Sequence, residues 1–332
     1  MAKLRVGVIY GGRSGEHEVS LVSARSVMDA LDKEKYEVIP IKIGKDGKWQ
    51  QHIIQADPTI DSGFDVIFPV LHGPYGEDGT IQGLLELANL PYVGAGVASS
   101  GASMDKALMR ALFAQAHLPL LPWEVVLGYE WKEHPQEVTA KLEDTLGYPM
   151  FVKPANLGSS VGISKVKSPE DLGPAMDLAL SFDRKVVVEQ GMVNAREIEC
   201  SVLGHNNPEA SILGEIVPAH EFYDYQAKYH NVESKLIIPA PLNEQQTETI
   251  RNYACRAFQA VDCSGLGRVD FLVNGQGDIF LNEINTIPGF TQISMYPKLW
   301  EQSGIPYAEL LDRLIELALE KHQERKALRT SI

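Results

Sequence analysis

The first third of the chain alternates short apolar runs with amphipathic stretches, and this alternation constrains the fold more than any other feature. Strand-like runs cover Leu4–Tyr10, Tyr36–Ile43 and Phe64–Leu71, and helical periodicity covers Glu18–Leu31 and Thr80–Ala88. Parallel strands need long crossover connections, usually helices, so this order predicts a parallel sheet in an α/β domain. Ligand-binding groups are expected at the carboxyl ends of its strands.

The middle third is predicted to form an α+β unit with antiparallel character. Met150–Pro154 and Ile163–Val166 read as strands joined by a Gly- and Ser-rich loop. Lys185–Glu189 and Ile198–Leu203 add two more strands, and a predicted helix over Asp171–Phe182 separates the two pairs.

The last third begins with a long segment that has neither strand nor helix periodicity. This segment, His220–Lys235, is polar and aromatic, which is typical of a lid over a site; the alternative is a surface loop held down by its aromatic side chains. Glu244–Val261 and Ala308–Lys321 follow as predicted helices. We predict three domains, at 1–121, 122–213 and 214–332, with a lid loop at 220–235.

Composition excludes several classes of function. The 332 residues include 30 Lys and Arg against 44 Asp and Glu, a net charge of −14, so no broad basic surface for nucleic acid or membrane is expected. Three cysteines without a C-x-x-C pair predict reduced thiols, and Cys200, in an apolar run, is expected in the core. No signal-peptide region and no apolar run of about 18 residues is present, so we expect a cytoplasmic protein.

The strongest chemical signal is a predicted hairpin over Arg268–Asn285. A turn near its centre places Asp270 opposite Glu283, and Arg268 opposite Asn285. Two carboxylates about 5 Å apart repel by roughly 3 kcal/mol at an effective dielectric of about 20. Either Arg268 neutralises part of this repulsion or a divalent cation lies between the carboxylates. The donors are all oxygen atoms, which favours Mg²⁺ over Zn²⁺, so the spacing predicts a magnesium site.

A second candidate site is the loop Ala155–Gly162, which follows Lys153 at the end of a strand. A lysine ammonium group and several backbone N–H groups can surround phosphates in this way. An ordinary hairpin loop is the alternative, and the chain contains no Walker A motif. Gly94–Ser99 nearly matches a dinucleotide-binding fingerprint but lacks its third glycine, so an NAD site is not expected.

A third candidate is the strand-to-helix turn over Tyr10–Glu18. Its glycines allow a small ligand to approach closely, and Glu16 could pair with a substrate ammonium group. Alternatively, Glu16 or Glu18 only favours the helix N-terminus by its negative charge, and the spacing leaves both interpretations open. His72 ends a predicted strand at the same edge of the sheet and is therefore a candidate for substrate binding.

Five motifs, taken in order, resemble the bacterial D-alanine–D-alanine ligase family. They are Gly11–Ser20, Leu71–Thr80, Lys153–Gly162, Tyr223–Tyr229 and Asn282–Thr291. The resemblance spans nearly the whole chain. It implies the ATP-grasp fold, in which two α+β domains hold ATP and an N-terminal α/β domain completes the substrate site.

The resemblance also implies an activity. It is the ATP-dependent ligation of two D-alanine molecules through an acyl phosphate, with release of ADP and phosphate, for peptidoglycan precursor synthesis. The implied cofactors are ATP as co-substrate and two Mg²⁺ ions, for which Mn²⁺ substitutes, and the implied assembly is a homodimer. The alternatives are a ligase that uses D-lactate or D-serine as second substrate, and a non-catalytic nucleotide-binding protein of the same fold.

By this resemblance, substrate and catalytic roles fall on nine residues. Glu16 would bind the first D-alanine's ammonium group, with Ser159 and Tyr229 linking it to the lid. Arg268 and the N–H of Gly289 would stabilise the oxyanion. The implied substrate-binding residues are His72, Lys228 at the transferred phosphate, Ser294 at the second carboxylate, and Met295.

Nucleotide and metal roles are implied in the same way. Lys106 and Lys153 would hold the phosphates of ATP, together with Ser160 from the loop between the strands. Glu189 would lie at the adenine edge and Glu197 at the ribose. The two Mg²⁺ ions would be held by Asp270, Glu283 and Asn285.

Overall fold

The computed structural model describes residues 2–217 and 235–329, which form thirteen strands and ten helices. The strands are β1 (Leu4–Gly11), β2 (Tyr36–Ile43), β3 (Trp49–Gln50), β4 (Val66–Val70), β5 (Trp123–Leu127), β6 (Met150–Pro154), β7 (Ser164–Val166), β8 (Lys185–Gln190), β9 (Arg196–Gly204), β10 (Glu209–Val217), β11 (Lys235–Ile237), β12 (Gly265–Val273) and β13 (Ile279–Asn285). The helices are α1 (His17–Ala30), α2 (Thr80–Leu87), α3 (Val97–Met104), α4 (Lys106–Gln115), α5 (Gly128–Glu133), α6 (Pro135–Thr145), α7 (Pro169–Leu180), α8 (Glu244–Ala260), α9 (Met295–Gln302) and α10 (Tyr307–Lys326).

The first sheet has the order β3-β2-β1-β4, with β1 parallel to both β2 and β4. This confirms the parallel sheet predicted from the alternating pattern. Successive side chains of a strand point to opposite faces, and both faces here are apolar. Val8 packs with α1 residues such as Val27, whereas the adjacent Ile9 packs with Leu85 of α2.

The C-terminal helix α10 completes the core on one face of this first sheet. Leu310 and Leu314 are fully buried in the same apolar cluster as Val8. Tyr36 donates a hydrogen bond of 2.9 Å to Asp312, which fixes the helix against β2. The N-terminal sheet therefore depends on residues from the other end of the chain.

The second sheet has the order β5-β8-β6-β7, and all its neighbouring strands are antiparallel. Its apolar face packs on helices α6 and α7 through residues such as Leu142 and Met176. The sequence patterns predicted β6, β7, β8 and α7 but not β5, α5 or α6. Helix α6 buries only Leu142, so it lacks the apolar stripe that identifies an amphipathic helix.

The third sheet has the order β11-β10-β9-β12-β13. The predicted strand Ile198–Leu203 belongs here, because β9 pairs with β10 and β12, and its grouping with the middle strands was wrong. Local periodicity identifies a strand but carries no information about which sheet it joins. The predicted boundary between residues 213 and 214 falls inside β10.

Helices α3 and α4 meet at Asp105, where α3 ends and α4 begins. Asp105 has extended backbone dihedral angles, and its carboxylate accepts hydrogen bonds from the N–H groups of Ala107 and Leu108 at 3.0 and 3.2 Å. This is an N-cap, which makes Lys106 the first residue of α4.

Two further expectations from the sequence concern the lid and membrane-spanning segments. The predicted lid lies outside the described residues except for Lys235, the first residue of β11. Among the described helices, none combines the length and the apolar character needed to cross a membrane.

All three cysteines are free thiols, as predicted. Cys200 and Cys263 are buried, and burial raises the pKa of each thiol to about 12. Cys255 is half-buried, and burial raises its pKa as well. Cys200 lies in the apolar cluster of the third sheet, which confirms that it belongs to the core.

We expect at most one thiol to react with a disulfide reagent at pH 8 in the folded protein. With a pKa of about 12, only about one thiol in 10,000 is ionised at that pH, and the thiolate is the reactive form. Spectrophotometric labelling should detect three thiols after unfolding in guanidinium, and the Cys255→Ser variant should show none before it. Rapid native labelling of two or more thiols would contradict the burial described above.

Candidate active site

The hairpin of β12 and β13 has the predicted register. Asp270 lies opposite Glu283 and Arg268 lies opposite Asn285, so the four side chains share one face of the third sheet. The register shifts after Asp270, because Phe271 pairs with Leu281. Without this bulge Glu283 would point to the other face of the sheet.

Arg268 forms a two-pronged ion pair with Asp270 across this face. Its Nε and Nη2 atoms donate hydrogen bonds of 2.8 and 2.7 Å to the two carboxylate oxygens. The Nε atom also lies 3.1 Å from Oε2 of Glu199, which is opposite Asp270 on β9. Burial lowers the pKa of Arg268, but the charges of Asp270, Glu199 and Glu283 outweigh it, and the pKa is raised.

The oxygen donors on this hairpin fit a hard divalent cation. Asp270 and Glu283 supply carboxylates on adjacent strands, and the amide oxygen of Asn285 accepts a 3.1 Å hydrogen bond from the N–H of Ile287 while keeping a second lone pair. In residues 2–217 and 235–329 no three His, Cys, Asp or Glu side chains are gathered as a metal site. A bound cation would therefore use two carboxylates and an amide, and the magnesium site remains a prediction.

A second cluster combines three cations with one carboxylate. Glu189, on β8, is 4% exposed and receives a 2.7 Å hydrogen bond from Lys153 Nζ and one of 2.9 Å from Arg110 Nε. Burial would raise the pKa of Glu189, but Arg110, Lys153 and Lys106 lower it below its ordinary value. Three positive charges against one leave a net charge of +2, which suits a polyphosphate.

The sequence patterns did not single out Arg110, which is 1% exposed. Its position four residues after Lys106 on α4 is the signal that could have found it, because residues i and i+4 lie on the same side of a helix. Its Nη2 atom lies 2.8 Å from Glu189. Arg110 thus holds the buried carboxylate that also orients Lys153.

The loop between β6 and β7 has a strained backbone. Ser159 and Ser160 have φ angles of +53° and +57°, in the left-handed region that costs a non-glycine residue about 1–2 kcal/mol. Lys106 Nζ donates a 2.6 Å hydrogen bond to the carbonyl of Leu157, so the loop lies beside the cation cluster. Strain of this kind is typical of ligand-binding loops.

Glu16 joins the N-terminal domain to this loop. Its carboxylate accepts a hydrogen bond from the hydroxyl of Ser159, and Glu16 also directly precedes helix α1, where its negative charge favours the helix N-terminus, so its contact with a substrate ammonium group stays a prediction. Gly73 has a φ angle of +75°, and a Cβ atom there would lie 2.6 Å from Glu16 Oε2, so a side chain at this position would be strained and would displace the carboxylate. Glu18, by contrast, is exposed and pairs with Lys45 at 2.7 Å.

His72 is 5% exposed and has partners at both ring nitrogens. The carbonyl of Ile287 lies 3.1 Å from Nδ1 and can only accept, so Nδ1 donates and Nε2 accepts from Ser23 Oγ at 3.1 Å. Burial lowers the pKa of His72. The imidazole therefore ties the N-terminal sheet to the segment before Gly289, and its predicted contact with substrate stays a prediction.

Glu77, in the same motif as His72, is a site residue that the sequence patterns missed. Its carboxylate accepts a 2.7 Å hydrogen bond from the N–H of Gly73. Burial raises its pKa well above the ordinary value and Glu16 adds to the shift, while Arg268 opposes it. Glu77 is followed directly by Asp78 in this motif, and these two adjacent acidic side chains are the sequence signal that could have identified Glu77.

The remaining predicted positions lie at the start of helix α9. Ser294 precedes the helix, and its hydroxyl lies 2.8 Å from Thr291 Oγ1 and 3.2 Å from where a Cβ of Gly289 would be. Met295 has a buried side chain that packs with Ile216, so only its backbone N–H, in the first helical turn, is suited to a ligand.

Glu197 lies on the same face of the third sheet as Asp270, since it is opposite Leu272 on β12. Tyr229 and Lys228 lie outside the described residues. The structure therefore gathers the hairpin residues on one face of the third sheet and places the phosphate loop beside Lys106 and Glu16, and it leaves the two lid residues as predictions.

Comparison with known proteins identifies the family. The model for the D-ala D-ala ligase C-terminus matches residues 112–316, and that for the N-terminus matches 5–61 and 51–95. The chain is 52% identical to the D-alanine–D-alanine ligase of Heliobacterium modesticaldum, covering 98% of this chain and 97% of that protein. It is also 52% identical to that of Solibacter usitatus, with 98% and 99% covered.

Solved structures are similar over the same length. The D-alanine–D-alanine ligase of Coxiella burnetii superposes with a TM-score of 0.86 at 37% identity, covering 98% of this chain and 96% of that one. The D-Ala:D-Ser ligase of Enterococcus faecalis superposes with a TM-score of 0.87 at 33% identity, covering 96% and 100%. The predicted ATP-grasp arrangement is thereby confirmed, and the chain belongs to the D-alanine–D-alanine ligase family.

Proposed function

We propose that this chain joins two D-alanine molecules to D-alanyl-D-alanine at the expense of ATP. The observation that carries the proposal is the position of loop 155–162, which contacts Glu16 through Ser159 and Lys106 through Leu157. A carboxylate suited to an amino acid's ammonium group and a cation cluster suited to polyphosphate therefore meet at one strained loop. A ligase that first phosphorylates an amino acid needs these two sites side by side.

In the first step, a carboxylate oxygen of D-alanine attacks the γ-phosphorus of ATP, and the bond to the β,γ-bridging oxygen breaks. The products are the acyl phosphate and ADP. Both reactants are anions, so catalysis consists mainly of positioning and charge neutralisation. Lys106 and Lys153 offset the phosphate charge, and Glu16 holds the ammonium group.

In the second step, the amine of the second D-alanine attacks the acyl carbon, and phosphate leaves. Arg268 and the N–H of Gly289 stabilise the oxyanion, and Ser294 with the N–H of Met295 receives the second carboxylate. Losing the ammonium proton at pH 7 costs about 1.4 kcal/mol for an amine of pKa near 8, so a weak base such as the Ser159–Tyr229 pair suffices.

Two Mg²⁺ ions, for which Mn²⁺ substitutes, would be held by Asp270, Glu283 and Asn285 and would supply further neutralisation of the phosphate charge. Glu189 and Glu197 would contact adenine and ribose, Ser160 and Lys228 the phosphates, and His72 the substrate site. The proposed setting is the cytoplasm, where ATP and peptidoglycan precursors are available, and the proposed assembly is a homodimer.

D-alanine is proposed as the second substrate in preference to D-serine or D-lactate. The relatives at 52% identity carry the D-alanine–D-alanine name, whereas the D-Ala:D-Ser ligase is 33% identical. The complete charged set of Arg268, Asp270 and Glu283 favours an enzyme over a non-catalytic nucleotide-binding protein.

Purified protein with ATP, Mg²⁺ and D-alanine is expected to release one ADP for each D-alanyl-D-alanine, because phosphorylation is coupled to ligation. A coupled ADP assay and product mass spectrometry measure both quantities. L-alanine and removal of Mg²⁺ with a chelator serve as controls and should stop turnover. A predominant ester or mixed dipeptide, when D-lactate or D-serine competes at neutral pH, would overturn the choice of second substrate.

Glu283→Ala should lower ADP formation by about 100-fold or more, since a lost cation ligand removes several kcal/mol of charge stabilisation. Asp278→Ala, at the exposed end of the same hairpin, is the matched control and should stay within twofold of wild type. Both variants should keep a cooperative thermal transition. Activity of Glu283→Ala within tenfold of wild type would show that the metal assignment is wrong.

Glu77→Gln should stabilise the protein increasingly as the pH rises from 4.5 to 8. The raised pKa means that the folded state keeps a proton which the unfolded state has lost, so wild-type stability falls over this range. Glu18→Gln is the control of opposite sign, because the hydrogen bond and charge of Lys45 lower the pKa of Glu18. Thermal midpoints measured across pH should separate the two variants; no pH-dependent gain for Glu77→Gln would contradict the shift.

A further inference from the structure

The ion pair between Arg268 and Asp270 poses a question for the proposed reaction. Both oxygens of Asp270 accept hydrogen bonds from Arg268, at 2.8 and 2.7 Å. The same oxygens are the expected cation ligands, and the same guanidinium is expected at the reacting carbonyl. Arg268 must therefore change its partner when the site is loaded, and an arginine held by Asp270 alone would then lose its orientation.

Glu199 offers the second anchor. It is directly opposite Asp270 in the pairing of β9 with β12, and its Oε2 atom lies 3.1 Å from Arg268 Nε. It is 6% exposed, and a buried carboxylate is costly without a cation beside it. Arg268 itself is opposite Ser201 on β9. Glu199, two residues before Ser201, is therefore its diagonal neighbour on the same face of the sheet.

The charges on this face of the third sheet also favour an interaction between Glu199 and Arg268. Among the described residues, Asp270, Glu199 and Glu283 contribute three negative charges and Arg268 one positive charge, so these four groups together carry a net charge of −2. Divalent cations on Asp270 and Glu283 would repel Arg268. Because Glu199 is not among the expected cation ligands, its charge remains available to keep the guanidinium in place.

We propose that Glu199 is a positioning residue for Arg268. When Asp270 turns to the cations, the Nε–H that it accepts in this structure passes to Glu199, whose Oε2 lies 3.1 Å away, and this leaves Nη2 for the oxygen of the acyl carbon. The proposal rests on the proposed ligase function and adds a residue to it. Glu199 touches neither substrate nor phosphate in this scheme and acts only through Arg268.

Steady-state kinetics of Glu199→Gln, which keeps the shape and removes the charge, test the proposal. We expect kcat to fall by tenfold or more, with the KM for ATP and the half-saturating Mg²⁺ concentration within twofold, since oxyanion stabilisation acts in the transition state. Glu215→Gln is the matched control, because Glu215 is a buried carboxylate paired with Arg196 at 2.8 Å on the other face of the same sheet. It should stay within twofold of wild type.

A double-variant comparison decides whether Glu199 acts through Arg268. If it does, adding Glu199→Gln to Arg268→Lys should lower kcat by no more than about twofold beyond Arg268→Lys alone. Multiplicative effects of the two changes would overturn the proposal. So would a kcat of Glu199→Gln within twofold of wild type, or a tenfold shift in its Mg²⁺ requirement, which would make Glu199 a cation ligand instead.

Nuclear magnetic resonance of arginine Nε–H groups gives a readout besides activity. The Arg268 signal, assigned by its loss in Arg268→Lys, should stay sharp in wild type when Mg²⁺ and ADP are added and should broaden in Glu199→Gln. Identical behaviour in both proteins would overturn the proposal. If Glu199→Gln fails to fold, Glu199→Asp is judged by the same criteria, and a wild type without ligase activity would refute the proposed function instead.

Discussion

Like charges held at adjacent positions on β12 and β13 are the constraint on which the rest of the site depends. Asp270 and Glu283 face each other across the hairpin, and at about 5 Å they would repel by roughly 3 kcal/mol at an effective dielectric of about 20. Arg268 offsets this repulsion in the structure by binding both oxygens of Asp270. Of the two explanations left open by the spacing, the ion pair is therefore observed directly, and the same oxygens remain suited to a cation.

The cluster around Glu189 has the opposite imbalance, an excess of positive charge. Lys106, Lys153 and Arg110 all act on Glu189, which binds Lys153 and Arg110 directly, and these four groups carry a net charge of +2. A buried ion pair of this kind contributes little net stability because its desolvation is costly. Its value here is in fixing the positions of cations that a triphosphate would otherwise have to order.

Loop 155–162 connects the cation cluster to the N-terminal domain, through Lys106 on one side and Glu16 on the other. Ser159 has left-handed backbone angles and donates a hydrogen bond to Glu16, a residue 143 positions earlier. Glu16 in turn lies so close to Gly73 that a side chain at position 73 would displace its carboxylate. Three distant segments thus have to fit one another, which explains why the motifs occur as separate blocks in the sequence.

The sequence by itself determined the local structure and much of the chemistry. Alternating apolar runs predicted β1, β2, β4 and α1 closely, since a parallel sheet buried on both faces requires them. The hairpin register followed from a turn near the centre of the segment Arg268–Asn285, and the resemblance to the family followed from five ordered motifs. Helix α6 was missed because it buries a single leucine, and α9 because it is short and has Pro297 in its first turn.

Only the tertiary structure decided which strands share a sheet, which carboxylates share a site and which groups carry a proton. Strand β9 looked like part of the middle unit, but it pairs with β12 and thereby brings Glu199 to Arg268. The burial of Arg110 arises only when α4 packs on β8, and the raised pKa of Glu77 arises only when its carboxylate is buried against Gly73 near Glu16. The physical reason is that periodicity reports which face of an element is buried, whereas pairing and electrostatic interactions depend on distances between residues far apart in the chain.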